Sequence, residues 1–151
     1  MTVHPAQVLP AASLKEADYN PRLMPPAELV ALVRSIREFG LVAPLVVRAE
    51  DRLLLGGHQR LAALRLVAQE GGLDPAALQV PAVLVSGLSD ARAKLLNLGL
   101  NKIGGEWDYA KLAELLADLG ARLDPAQVSA SGFSPAEVED IVALMRSESV
   151  V

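Results

Sequence analysis

Leu53-Leu54-Leu55-Gly56-Gly57-His58-Gln59-Arg60-Leu61-Ala62-Ala63-Leu64-Arg65 is the stretch whose reading decides the fold. Three leucines read as the end of a buried strand. Two glycines follow, and then an apolar pattern with helical spacing through Leu61, Leu64 and Ala68. A strand that runs through glycines into a helix brings several backbone N–H groups to one point, at the positive end of the helix dipole. Gly56, Gly57, His58, Gln59 and Arg60 are therefore candidates for holding an anion, with the His58 and Arg60 side chains in the first helical turn. The residues also allow a plainer reading, an ordinary strand–helix turn in which Arg60 is solvated and His58 merely caps.

Working outward, 151 residues suit one domain, or one domain with a small helical appendage. A composition of 52% hydrophobic and 21% charged residues supports a core and argues against disorder. With only 3% aromatic residues, packing rests on Leu, Val and Ala. The absence of cysteine removes disulfides, thiolate metal sites and a cysteine nucleophile. No apolar run is long enough for a membrane span, and the N-terminus lacks a signal pattern, so the expectation is a cytoplasmic protein without a membrane partner.

The net charge of −4 is unevenly spread. Residues 1–102 carry 11 Lys and Arg against 9 Asp and Glu, whereas residues 103–151 carry 3 against 9. A duplex-DNA binder usually shows a basic stripe, because phosphate neutralisation supplies much of the affinity. A small phosphate ligand needs only a few well-aimed donors.

Upstream of the glycine turn, Val8-Leu9-Pro10 reads as a short edge strand and Asn20-Pro21-Arg22 as a turn. Pro25-Pro26 opens a helix carrying Leu29, Leu32, Val33, Ile36 and Phe39, and Gly40 ends it. Leu45-Val46-Val47 and Arg52 to Leu55 pair as a hairpin. Downstream, the helix after Gly57 runs to about Glu70. Val80 to Val85 is a strand in which Pro81 favours the first residues or an edge. Ser89 caps a helix to about Asn101, and Asn97 and Asn101, four apart, lie on one face. Asp108 caps a helix that stops at Gly120, a loop spans Leu123 to Gly132, and Ser134-Pro135-Ala136-Glu137 is a capping box for a last helix.

The order of these motifs resembles the N-terminal domain of the ParB/sulfiredoxin superfamily over about residues 6–105. Asn20-Pro21-Arg22, Ser35-Ile36-Arg37-Glu38-Phe39-Gly40-Leu41, Pro44-Leu45-Val46-Val47, Gly56 to Ala63 and Val80-Pro81-Ala82-Val83 carry the likeness. Asn101 to Asp108 and Gly132-Phe133-Ser134 resemble the ParB-like nuclease branch, whose domain stands alone or precedes a DNA methyltransferase. The resemblance implies an α+β fold, a small mixed β-sheet with packed helices (ParB/sulfiredoxin-like) over residues 1–105. Residues 106–151 follow as a helical C-terminal part, packed on that domain or on a partner.

By the same resemblance the domain binds a nucleotide (CTP, ATP or ADP), usually with Mg, and acts in DNA partition, DNA modification or a related DNA transaction. Gly56, Gly57, His58, Gln59 and Arg60 would hold phosphate, with Asn20, Arg22, Asn101 and Lys102 completing the site. Two departures stand out. Gln59 and Ala62 occupy positions where ParB carries arginines, each a charged, multi-donor phosphate partner. Leu100 stands where ParB clamps carry a magnesium-supporting glutamate, so no metal ligand is expected here.

Two alternatives accompany this reading. One is an enzyme, a weak NTPase or a phosphodiesterase or nuclease, using the same pocket with His58 as the candidate catalytic base. The other is a non-enzymatic adaptor that docks partners through its leucine-rich helices. Sulfiredoxin chemistry is excluded, since the cysteine position reads His58. About thirteen residues separate the last two helices, against the 3–4 of a helix-turn-helix, so DNA contact is expected to be indirect or through another domain. A homodimer is compatible with the apolar helices.

Overall fold

The computed structural model describes residues 1–17, 25–102 and 107–148. Five short strands form one mixed sheet: β1 (Ala6–Pro10), β2 (Lys15–Glu16), β3 (Leu45–Arg48), β4 (Leu53–Gly56) and β5 (Gln79–Val85), in the order β1-β5-β3-β4-β2. The β1–β5 and β3–β4 pairs are antiparallel, and β3–β5 and β2–β4 are parallel. Helix α1 (Pro26–Phe39) precedes the β3–β4 hairpin, α2 (His58–Glu70) follows it, and α3 (Asp90–Lys102) follows β5. This is the α+β architecture expected.

The three leucines of the opening stretch explain how the layers stack. Leu54 belongs to the main apolar cluster with Leu45, Val47, Leu61, Val80 and Ala82. Leu55 is equally inaccessible yet lies outside that cluster. Alternate strand residues point to opposite faces, so Leu55 faces the other side of the sheet, where α3 packs on β4. Helix α1 adds a further layer by setting Val33 and Ile36 against Ala63 of α2, as their helical spacing requires. An ion pair between Arg37 and Glu70 joins the ends of these two helices.

Pro81 lies on an inner strand rather than at a sheet edge. It pairs with Val8 of β1, while β3 begins to pair with β5 only at Ala82. The proline therefore occupies the one end of β5 that has a single neighbour, where a missing N–H is tolerated.

The described residues beyond 107 are mainly helical. Helix α4 (Tyr109–Arg122) is capped by Asp108, whose carboxylate accepts from the Lys111 N–H at 3.2 Å. It does not stop at Gly120. A Cβ there would meet nothing, and the helix continues for two residues. The expected loop after it also contains structure. Asp124 and Gln127 form a capping box that starts α5 (Pro125–Val128), which leads into a 3-10 turn at Ser129–Ser131. Helix α6 (Pro135–Glu148) begins with the expected reciprocal bonds between Ser134 and Glu137, at 3.1 and 3.2 Å. Helices α4 and α6 pack together, and the 3-10 turn rests on α1. Trp107 meets Phe133 edge to face, with centroids 5.6 Å apart, so the two motif segments flanking this unit touch each other.

An arginine clasp fixes the start of α3. Arg48 donates to both carboxylate oxygens of Asp51 (3.0 and 2.7 Å), to Asp90 (2.8 Å) and to the Leu88 carbonyl (3.3 Å). Glu50 reinforces it by accepting from the Gly87 N–H at 2.7 Å. The guanidinium hydrogen bonds hold the Asp51 carboxyl down at about 2, against an ordinary 3.8. A carboxylate whose folded value is depressed contributes stability above its unfolded value and loses it as pH falls toward the folded one. Urea unfolding of wild type and Asp51→Asn should therefore differ fully above about pH 4, with the variant less stable, and the difference should close as pH approaches 2.

Candidate functional site

The site begins where β4 runs out. Gly56 is buried against α3: a Cβ there would meet Leu100 Cδ1 at 2.8 Å. Gly57 adopts φ +93°, and a Cβ on it would overlap the Leu45 side chain. The chain can thus enter α2 at this angle only with glycine in that position. Gly57 is the N-cap of α2 and offers no side-chain acceptor. The first helical bond runs from Leu61 N–H to Gly57 O (3.0 Å), so the N–H groups of His58, Gln59 and Arg60 have no partner within the helix.

The Gln59 and Arg60 part of this turn borders a cleft of about 230 Å³ lined by Leu32, Val46, Gly56, Gly57, Gln59, Arg60, Leu100 and Asn101. Four elements contribute: α1, the β3–β4 hairpin, α2 and α3. Arg60 reaches back with Nη1 to the Pro44 carbonyl (3.1 Å), which fixes the guanidinium while leaving most of its donors uncommitted. The Gln59 Nε2 is buried without a hydrogen-bond partner.

The opposite wall is held by two asparagines. Asn97, 1% exposed, donates from Nδ2 to the Leu55 carbonyl at 2.8 Å and so ties α3 to β4 one residue before the glycines. Asn101 donates from Nδ2 to the Asn97 carbonyl at 2.9 Å. The sequence places Asn97 only on one helical face with Asn101. The signal it carries is a polar pair at helical spacing within an apolar helix.

The sequence candidates separate accordingly. Gly56, Gly57, Gln59, Arg60 and Asn101 converge on the cleft. His58 and Lys102 are not among its lining residues. The His58 ring is partly buried, beside the Leu54 backbone and within reach of the Glu16 charge, and burial pushes its pKa below the ordinary value. A neutral imidazole outside the cleft has little to offer an anion inside it. Asn20 and Arg22 lie outside the described residues.

Magnesium, which the family resemblance implies, is a test the described lining does not meet. Protein-bound Mg²⁺ takes oxygen ligands, usually one or two carboxylates beside phosphate oxygens. The cleft lining offers two side-chain amides, a guanidinium and three apolar side chains. Among the described residues no three His, Cys, Asp or Glu side chains converge to hold a metal.

The glycine turn yields its own expected outcome. Gly57→Ala should destabilise the fold by at least ~1–2 kcal/mol from the left-handed backbone alone, with the Leu45 overlap adding to it. A lower unfolding midpoint in urea is the readout.

The ParB N-terminal domain model matches residues 2–101. A similar fold occurs in the C-terminally truncated chromosome-partitioning protein ParB from Caulobacter crescentus, complexed with CTP-gamma-S. That likeness has a TM-score of 0.73 at 21% identity and covers 94% of this chain and 79% of that one. The Pnob8-like ParB-N domain is also similar, with a TM-score of 0.52 at 19% identity over 98% of this chain. This chain spans 64% of that structure's length. No curated protein matches in sequence. No described helix is long and apolar enough to cross a membrane. With a glycine turn, an arginine and a facing asparagine grouped in one cleft, and with the family model matching two thirds of its length, the chain belongs to the ParB N-terminal domain family.

Proposed function

We propose that this domain binds a nucleotide through its phosphate in the cleft at the start of α2, and that it serves DNA partition or a related DNA transaction. The observation that carries the reading is the grouping of Gly56, Gly57, Gln59 and Arg60 with Asn101 around one opening, at the N-terminus of a 13-residue helix. A helix N-terminus supplies unpaired N–H groups and a favourable dipole for phosphate, and Arg60 adds a permanent charge with several free donors. Asn20, Arg22, His58 and Lys102 belong to the proposal only as residues near the turn in sequence or in the family pattern.

The partition role is supported by family membership and by the chromosome-partitioning protein whose fold this chain shares. Contact with DNA would come through another domain or a partner. The helices after residue 107 carry Glu137, Glu139 and Asp140, all exposed and all repelled by phosphate. Residues 1–105 would act as the binding domain and 106–151 as a helical extension. Hydrolysis has no role in this reading, because His58, its candidate base, does not line the cleft.

Isothermal titration of the purified chain with CTP, ATP and ADP tests the proposal. At least one nucleotide should release heat, and Arg60→Ala should weaken it by about tenfold or more, as expected for loss of a charged hydrogen-bonding partner. Equal affinity in the variant would move the ligand away from the glycine turn.

A further inference from the structure

The walls of the cleft narrow the ligand further, provided that the phosphate-binding reading holds. We propose that the cleft takes a nucleoside mono- or diphosphate free of any divalent cation, held by neutral amide donors and one guanidinium. Three observations on the described residues converge on this.

The first is the Gln59 amide. Gln59 lines the cleft, and its Nε2 is buried without a hydrogen-bond partner. A buried donor left unsatisfied costs free energy that a ligand oxygen recovers on binding. An amide does this without bringing charge, so it suits one phosphate oxygen and does nothing to balance a long polyphosphate.

The second is Leu100. Its Cδ1 packs over the Gly56 α-carbon, close enough that a Cβ on the glycine would stand 2.8 Å away. An aliphatic group therefore covers the floor of the cleft beside Asn101, and Val46 and Leu32 extend the apolar wall. An ion entering here exchanges water for methyl groups, which is unfavourable for a cation that surrenders its hydration reluctantly.

The third is charge. Arg60 is the one charged side chain among the described residues of the lining, and part of its guanidinium is already spent on the Pro44 carbonyl. Each phosphate added beyond the first brings negative charge that the described lining does not neutralise, and among the described residues no lining carboxylate is placed to recruit a metal instead. A short, metal-free phosphate ester matches what is present.

The test is a titration series on the full chain with CMP, CDP and CTP and with AMP, ADP and ATP. Each is measured once in magnesium and once in EDTA, with the Gln59→Leu variant alongside. The tightest ligand should be a mono- or diphosphate, with affinities in magnesium and in EDTA agreeing within about threefold, and Gln59→Leu should weaken it about tenfold with a melting temperature equal to or above that of wild type. A triphosphate that binds about tenfold more tightly than the shorter nucleotides, and only with magnesium, overturns this inference and leaves the phosphate-binding reading standing. Silence from all six ligands, from protein that melts cooperatively, overturns both.

Discussion

The hydrogen bond from Asn97 Nδ2 to the Leu55 carbonyl is the contact on which the cleft depends. It lies in a fully buried place, where a polar bond is strong because water cannot compete for it. It also joins two elements far apart in sequence at the last strand residue before the glycine turn. Without it, α3 would be held to β4 by apolar packing alone, which is indifferent to a small slide along the strand. The bond fixes the register between Asn101 on one wall and Gly57 on the other. Asn97 leaves its Oδ1 without a partner, so the arrangement keeps an unmet acceptor in exchange for a defined geometry.

A second constraint acts on the same point from the other end of α3. The Arg48 clasp gathers the β3–β4 turn and the β5–α3 loop around Asp90, the first residue of the helix. Helix α3 is thus fixed at its start by charge-assisted bonds and near its end by a buried amide. Its middle is bare on one side, with Leu95 and Leu98 largely exposed. The cleft inherits its definition from these two anchors, because the side chains that close it, Leu100 and Asn101, lie just beyond the second.

Much of the fold was legible in the sequence because it follows from local rules. Helical spacing in residues 26–39, the Ser134 capping box and the glycine turn each depend on residues within a few positions of one another. Where reading fell short, the deciding factor was a distant neighbour. Pro81 does fall among the first residues of its strand, and what the sequence does not supply is the reason, that β3 pairs only from the next residue on. The Asp124–Gln127 capping box is the exception, a local spacing within a stretch that reads as a loop. Gly120 continues its helix because that surface is open. The site shows the same division. The glycines and Arg60 were readable, but which side of α2's first turn faces α3 is a matter of packing. That rotation puts Gln59 in the cleft and turns His58 toward Leu54 and Glu16.

Trp107 is the single tryptophan of the chain, and its ring rests edge-on against Phe133 at the seam where α4 begins and the segment before α6 passes. The chain therefore carries a built-in optical reporter placed outside its sheet. Intrinsic emission from this protein speaks for the seating of the C-terminal helices and is nearly blind to the strands. Comparing it with far-ultraviolet dichroism separates loosening of that helical unit from melting of the whole, with no label attached.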